Sequence, residues 1–180
     1  TTPGWVKSGM ASADYYGQSI SIAGNLNGDQ FDDVVVSTSE FDDVLNEVGR
    51  VDIFYGKASG ITVDASVSII GDTIEKGISG GTPIGDFNGD GYDDIIYGTR
   101  SLFDFIEAYS FPVNMRFYIT NGSSAGISDK YSYITNPFDH FGGSGGAYSA
   151  GDINGDGFGD FYINAPGGDL RFGKGDVTYS

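Results

Sequence analysis

The chain carries short apolar runs separated by polar, glycine-rich segments. Apolar and polar side chains alternate at residues 19–23, and continuous apolar runs lie at residues 34–36, 95–97 and 161–163. Alternation with a period of two is typical of a half-buried strand, and a short continuous run suits a strand covered on both faces. Because no convincing helical periodicity accompanies these runs, the pattern predicts an all-β fold.

The predicted strands recur in sets of four, with a period of roughly 60 residues. One further strand of each set is predicted at residues 49–56, 115–122 and, beginning a third time, 175–179. Another is predicted at residues 4–9, 65–71 and 130–135. Four antiparallel strands in a repeat of this length describe a blade of a β-propeller. We therefore expect a single region, residues 1–180, whose three four-stranded blades occupy approximately residues 4–64, 65–129 and 130–180.

A nine-residue acidic cassette precedes each continuous apolar run, at residues 25–33, 86–94 and 152–160. Each copy has an oxygen-bearing side chain at positions 1, 3, 5 and 9, Gly at position 4 and an aromatic residue at position 7. Ca²⁺ takes about six to eight oxygen ligands from carboxylates, amides and backbone carbonyls. We therefore predict up to three structural calcium ions, with the position-7 carbonyl as a further ligand. The predicted ligands are Asn25, Asn27, Asp29, Phe31 and Asp33 in the first cassette, Asp86, Asn88, Asp90, Tyr92 and Asp94 in the second, and Asp152, Asn154, Asp156, Phe158 and Asp160 in the third.

Two other readings of the cassettes are weaker. Asn, Asp and Gly are also good turn residues, but three copies with the same spacing, and acids that repel one another without a cation, favour a metal. An EF-hand loop ends with a bidentate Glu at position 12. Here that position holds Val36, Tyr97 and Ile163. The cassettes are therefore predicted to join the first and second strands of each blade.

With these cassettes, the chain resembles the FG-GAP repeats of integrin α-subunit-like β-propellers. Tyr16-Gly17 and Phe141-Gly142 match the leading aromatic-Gly motif, and the trailing Gly-Ala-Pro motif is best kept as Asn164-Ala165-Pro166. The resemblance covers nearly the whole chain and implies structural calcium, a role in adhesion and a larger propeller of about seven blades. Asn25 and Gln30 depart from the usual Asp and Gly, so the first loop is predicted to bind calcium most weakly.

Three blades do not close a ring, since propellers have about four to eight. The chain is therefore expected to be part of a longer protein. Copies or partners that complete the ring, and a linear array of the same sheets, remain open alternatives.

The charge and composition exclude several classes of partner. The net charge is −16, with nine Lys and Arg residues, which disfavours nucleic acid and anionic membranes. There is no Cys for a disulfide or a thiol nucleophile, and no apolar run approaches the ~20 residues of a membrane span. Calcium loops of modest affinity suit an extracellular or cell-surface location. Asn121 begins a glycosylation sequon that is equally consistent with an Asn-Gly turn.

No catalytic constellation is recognisable, and the only histidine is His140. We therefore expect a non-enzymatic scaffold for adhesion, recognition or surface assembly, with a protein or glycan ligand or neighbouring copies as partners. The alternative is a platform in, or part of, an extracellular carbohydrate-active enzyme or phospholipase. A candidate partner surface lies in the long connection of the second repeat. A role in covering a neighbouring blade or in a subunit contact would explain its apolar residues equally well. Its residues are Leu102, Phe103, Phe105, Ile106, Tyr109 and Phe111.

Overall fold

The computed structural model describes residues 4–9, 14–41, 48–71, 77–99, 116–127, 131–135, 146–163, 169–171 and 173. Throughout these residues the regular secondary structure is β-strand, which confirms the predicted all-β class. The strands are β1 (Ser19–Ile22), β2 (Val34–Thr38), β3 (Arg50–Phe54), β4 (Gly56–Lys57), β5 (Gly60–Ile61), β6 (Val67–Ile70), β7 (Ser79–Gly85), β8 (Asp94–Gly98), β9 (Arg116–Thr120), β10 (Tyr131–Thr135), β11 (Ala147–Gly151), β12 (Asp160–Ile163) and β13 (Asp169–Arg171).

Several predictions from the sequence fall outside the described residues. They are the candidate partner surface at residues 102–111, His140, the motifs at 141–142 and 164–166, and the strand predicted at 175–179.

In the described part of the chain, the strands form three larger antiparallel sheets and one small hairpin. Sheet 1 has the order β1-β2-β3-β6, sheet 2 the order β10-β9-β8-β7 and sheet 3 the order β11-β12-β13, while β4 pairs with β5. Each cassette joins the first two strands of its sheet, as predicted, because these two strands pair directly. The continuous apolar runs form the second strands β2, β8 and β12.

The fourth strand of sheet 1 is β6, which pairs with β3 at the outer edge. Sheet 1 therefore extends from residue 19 to residue 70. The prediction of a strand at residues 4–9 is wrong. Because β6 already occupies the free edge of β3, this segment attaches through side chains instead. Trp5 packs edge-on against Phe54 at 5.4 Å between ring centroids, and its Nε1 donates a hydrogen bond to the Thr62 carbonyl at 3.1 Å.

Two apolar clusters among the described residues lie between neighbouring sheets. The cluster between sheets 1 and 2 comprises Ala23, Leu26, Val35, Val51, Ile53, Ile78, Ile95, Tyr97 and Tyr118. The cluster between sheets 2 and 3 comprises Ile84, Phe87, Ile96, Phe117, Ile119, Ala147, Phe161 and Ile163. Each sheet therefore buries its apolar face against the next one along the chain, and burial of such side chains is the main source of stability.

Tyr16, from the aromatic-Gly motif, belongs to a polar cluster around the buried Asp52 on the other face of sheet 1. Its hydroxyl donates to Asp52 Oδ2 at 2.8 Å, while Arg50 Nε and Ser68 Oγ donate to Asp52 Oδ1 at 2.7 and 2.6 Å. Burial, followed by the hydrogen bond to Asp52, raises the pKa of the Tyr16 hydroxyl well above its usual value, so the group stays a proton donor. The motif is therefore structural here.

Candidate metal centre

The three cassettes, called loops 1, 2 and 3 (residues 25–33, 86–94 and 152–160), share one backbone conformation. The side-chain Oδ1 of position 1 accepts hydrogen bonds from the backbone N–H groups of positions 4 and 5, which turns this oxygen toward the inside of the loop. The donors are Gly28 (2.7 Å) and Asp29 (3.0 Å) in loop 1, Gly89 (2.7 Å) and Asp90 (3.0 Å) in loop 2, and Gly155 (2.7 Å) and Asp156 (3.0 Å) in loop 3.

Positions 3 and 5 bring further oxygens to the same place. In loop 2, the Asp90 N–H donates to Asn88 Oδ1 at 2.8 Å and also to Asp86 Oδ1 at 3.0 Å, so oxygens from positions 1 and 3 flank one amide. The Asn88 amide donates to Asp90 Oδ2 at 3.0 Å. The corresponding amide-to-carboxylate bonds are 3.0 Å in loop 1 and 2.9 Å in loop 3. Positions 1, 3 and 5 therefore converge in all three loops.

The position-9 aspartates, Asp33, Asp94 and Asp160, are fully buried at the base of the loops. One carboxylate oxygen accepts the N–H of position 2, and the other accepts the N–H of a glycine that follows the third strand of the sheet. In loop 2 these donors are Phe87 at 2.9 Å and Gly122 at 3.0 Å. The position-9 side chain therefore fastens the loop to the rest of its sheet, a structural role that holds with or without a cation.

The hydrogen bonds of loop 2 leave acceptor capacity for a cation. A carboxylate offers about four lone-pair sites and an amide oxygen about two. Asp86 accepts three N–H groups, while Asp90 accepts two donors and Asn88 Oδ1 accepts one. Each of these side chains therefore keeps at least one acceptor site after the loop is folded. Oriented carboxylate and amide oxygens suit a hard cation such as Ca²⁺.

The donor set is mixed rather than wholly acidic. In the described residues, no group of three or more Asp, Glu, His or Cys side chains is spaced to hold a metal ion. The loops place Asn at position 3, and the predicted position-7 ligand is a backbone carbonyl. Ion binding would therefore depend on the folded loop backbone as much as on the carboxylates, and ligation by Asp33, Asp94 and Asp160 remains a prediction.

Burial of the position-9 carboxylates is electrostatically costly. It raises the pKa of Asp94 to about 7, although the N–H groups of Gly122, Phe87 and Asn88 act in the opposite direction. Burial likewise raises the pKa of Asp33, against the N–H groups of Gly56 and Leu26. A nearby cation would favour the charged carboxylates and so offset this cost.

Loop 1 differs from the others at the two positions that the sequence singled out. In loops 2 and 3 the position-6 N–H donates to Oδ2 of the position-1 aspartate, at 2.8 and 2.9 Å. Asn25 has its side-chain amide nitrogen, a donor, where the aspartates have Oδ2. Position 6 itself is Gln30, whose φ of 74° lies in the left-handed region that disfavours side chains with a Cβ. Loop 1 is therefore both less charged and more strained.

Adjacent loops also contact one another, which the sequence reasoning missed. The position-7 ring of each following loop lies on the position-4 glycine of the preceding loop: Tyr92 on Gly28, and Phe158 on Gly89. Backbone bonds accompany the rings, since the Asp93 N–H donates to the Asn25 carbonyl at 3.2 Å. In the next pair, the Gly159 N–H donates to the Asp86 carbonyl at 2.9 Å.

A sequence signal for these contacts did exist. An aromatic residue at position 7 and a glycine just before position 1 recur in every copy. The preceding glycines Gly24, Gly85 and Gly151 have φ values of 67°, 71° and 68°. A Cβ on Gly24 would collide with the Asp93 carboxylate, which accepts the Asn25 N–H at 2.7 Å. This glycine therefore permits the close approach of loop 2 to loop 1.

Comparison with known proteins shows a similarity to an integrin α-subunit. The chain is 31% identical to integrin alpha-PS5 of Drosophila melanogaster over 180 aligned residues. The alignment covers 91% of the chain and 16% of that protein, so the chain spans a small part of its relative. No family model matches the chain. Among the described residues, no helix has the length and apolar character to cross a membrane.

Proposed function

We propose that the chain forms FG-GAP-type β-propeller blades in an extracellular or cell-surface protein, where it acts as a calcium-stabilised adhesion or recognition scaffold. The observation that carries this proposal is the same inward arrangement of oxygens at positions 1, 3 and 5 in all three loops. The similarity to an integrin α-subunit supports the adhesive, non-enzymatic and extracellular parts of the proposal.

Calcium would be held by the side chains of positions 1, 3, 5 and 9 and the carbonyl of position 7 in each loop. When bound, the ion would offset the negative charge of the carboxylates. Since the loops exist in this conformation only in the folded protein, an ion at one hundred times its dissociation constant would add about 2.7 kcal/mol to the free energy of unfolding.

The position of the loops indicates an architectural role for the ion. Each loop joins two strands of one sheet, is fastened by its position-9 carboxylate to the segment after the third strand, and touches a loop of an adjacent sheet. An ion in loop 2 would therefore stabilise a point where Leu26, Tyr92 and Gly122 meet, since the carbonyl of Leu26 and the Cβ of Tyr92 both lie beside Gly122.

Recognition of a protein or glycan is proposed for the end of the sheets opposite the loops. Because neighbouring strands are antiparallel, the connections after β2 and β8 leave the sheets at that end. Connections of this kind vary more readily than the strands and commonly carry binding residues.

Thermal unfolding in millimolar Ca²⁺ and in chelator tests the calcium part of this proposal. We expect a higher midpoint with Ca²⁺, and a smaller calcium-dependent shift in Asp90→Ala and Asp156→Ala than in Asp29→Ala, because loop 1 has fewer carboxylates. Mg²⁺ at the same concentration is the control for ionic strength, since Mg²⁺ demands a stricter octahedral site. The same midpoint in Ca²⁺ and chelator would contradict the proposal.

A further inference from the structure

Loop 2 contributes a side chain that holds the first residue of loop 1. This residue is Asp93, at position 8 of loop 2, and it bonds to both polar backbone groups of Asn25. The Asn25 N–H donates to Asp93 Oδ2 at 2.7 Å, and the Asp93 N–H donates to the Asn25 carbonyl at 3.2 Å. Asp93 therefore fixes, from the adjacent sheet, the backbone of the position-1 residue of loop 1.

Asn25 organises the inside of loop 1. Its Oδ1 accepts the N–H groups of Gly28 at 2.7 Å and Asp29 at 3.0 Å, so the direction of this oxygen depends on where the Asn25 backbone lies. Asn25 is also the only position-1 residue of the three loops that lacks a carboxylate. The half-buried carboxylate of Asp93 adds a negative charge beside the loop at this point.

The junction between loops 2 and 3 is built differently. Position 8 of loop 3 is Gly159, whose N–H donates to the Asp86 carbonyl at 2.9 Å but which has no carboxylate for the Asp86 N–H. A Cβ at Gly159 would collide with the carbonyl of Ile84, which lies against this glycine. Loop 2 has its own carboxylate at position 1, in Asp86. The carboxylate that loop 1 lacks at position 1 is thus present at the neighbouring Asp93.

We propose that Asp93 is a positioning residue for calcium in loop 1, so that the calcium affinity of this loop is set partly by the next sheet. The inference rests on the proposed calcium function. Asp93 acts through Asn25, by orienting its backbone and by adding negative charge near the loop that has the fewest carboxylates. Outer groups that orient metal ligands commonly change metal affinity by about 10- to 100-fold.

The coupling is reciprocal. If Asp93 strengthens calcium binding in loop 1, calcium in loop 1 strengthens the contact between Asp93 and Asn25 by the same factor. Asp93→Ala should therefore lower the thermal midpoint more in millimolar Ca²⁺ than in chelator. A contact that only packs the two sheets together would lower both midpoints equally.

A calcium titration of the full chain, followed by nitrogen–proton correlation NMR, tests the proposal loop by loop. The amides of Gly28, Gly89 and Gly155 report on loops 1, 2 and 3 separately, because each donates within its own loop. We expect Asp93→Ala to raise the dissociation constant of loop 1 about tenfold. Asp93→Asn should raise it less, because the amide keeps an oxygen for the Asn25 N–H. Loop 3 should be unchanged in both variants.

Two control variants separate positioning from charge and from strain. Asp32→Asn removes one exposed carboxylate next to the predicted ligand Asp33 but leaves the bond between Asp93 and Asn25 intact. Gly24→Ala keeps Asp93 but adds a Cβ that collides with its carboxylate. Gly151→Ala matches the backbone strain, since the two φ values are 67° and 68°, and its Cβ would meet nothing within 4 Å among the described residues.

We expect Gly24→Ala to weaken calcium binding in loop 1, while Asp32→Asn and Gly151→Ala leave it nearly unchanged. An unchanged loop 1 affinity in Asp93→Ala, equal weakening by Asp32→Asn, or a larger change in loop 2 than in loop 1 would overturn the inference while calcium binding itself stands. A wild-type chain whose three loops show no response to calcium would overturn the proposed function and this inference with it.

Discussion

The ring of Tyr92 lies directly on the backbone of Gly28, so that a Cβ at Gly28 would sit 2.5 Å from Tyr92 Cε1. The two residues belong to consecutive loops on adjacent sheets. Together with the bond from Asp93 N–H to the Asn25 carbonyl, this contact makes the loops part of the interface between sheets. Changes within one loop are therefore expected to alter the stability of the neighbouring sheet.

The contact can be isolated by comparing Gly28→Ala with Gly155→Ala. Both glycines occupy position 4, with φ values of 78° and 74°, so the added Cβ incurs a similar backbone strain in each. Only Gly28 has an aromatic ring against it. We expect Gly28→Ala to lose about 1–3 kcal/mol more free energy of unfolding. Urea denaturation in chelator measures the difference, and equal losses would show that Tyr92 does not press on Gly28.

Position 2 provides a test of the packing between sheets. Leu26 is buried in the cluster between sheets 1 and 2, so Leu26→Ala should cost about 2–5 kcal/mol of stability. Ile153 is exposed at the same loop position, and Ile153→Ala should change stability by less than about 0.5 kcal/mol. The comparison is made by urea denaturation of dilute protein. A comparable loss for both variants would contradict the assigned burial.

Replacing the two unusual residues of loop 1, Asn25 and Gln30, should increase the stability of the protein and the calcium affinity of the loop. Gln30→Gly removes a side chain from a backbone with φ of 74° and should raise stability in chelator by about 1 kcal/mol. Asn25→Asp restores the acceptor for the position-6 N–H and adds a carboxylate, so it should strengthen calcium binding. The effect on stability is measured in chelator, and the effect on calcium binding is measured by isothermal titration with Ca²⁺. A double variant whose weakest site is unchanged would show that these residues do not set the affinity of loop 1.

The buried carboxyl of Asp94 should make the calcium-free protein sensitive to pH. Its folded-state pKa of about 7 lies above the ordinary value of 3.8, so the folded form holds a proton that the unfolded chain releases. The stability contributed by this group is present at low pH and is lost as the pH rises toward and through about 7. In chelator, the free energy of unfolding should therefore fall between pH 5 and about 7 and then level off.

Asp94→Asn is the control, because it has no proton to lose and should flatten this part of the pH profile. Because the cation favours the ionised carboxylate, the stabilisation by Ca²⁺ should grow over the same range. An Asp94→Asn profile as steep as that of the wild-type chain would assign the pH dependence to other groups.

Much of the local structure could be predicted from the sequence. A continuous apolar run such as residues 34–36 makes both faces of a strand apolar and therefore predicts a strand that is buried on both sides. In the structure this run lies in β2. The cassettes specify their own turns because Asn, Asp and Gly side chains bond to the nearby backbone. The proposed metal ligands rest on the same local chemistry.

The parts that could not be predicted depend on which sheet lies beside which. The segment at residues 4–9 has strand-like composition, yet β6 occupies the edge that it would need. The alternation at residues 19–23 correctly indicated β1, but Ile20 and Ile22 are exposed, while Ala23 packs in the cluster between sheets 1 and 2. The stacking of Tyr92 on Gly28 likewise joins residues far apart in sequence. The recurring aromatic residue at position 7 signals a contact, but the local pattern does not identify its partner.

The most direct test of the calcium-loop account is a high-resolution crystal structure grown in Ca²⁺, with anomalous scattering data to identify the ion. We expect one anomalous peak within each loop, bounded by the oxygens of positions 1, 3, 5 and 9 and the position-7 carbonyl, with the weakest peak in loop 1. Empty loops at residues 86–94 and 152–160 in calcium-saturated crystals would contradict the account.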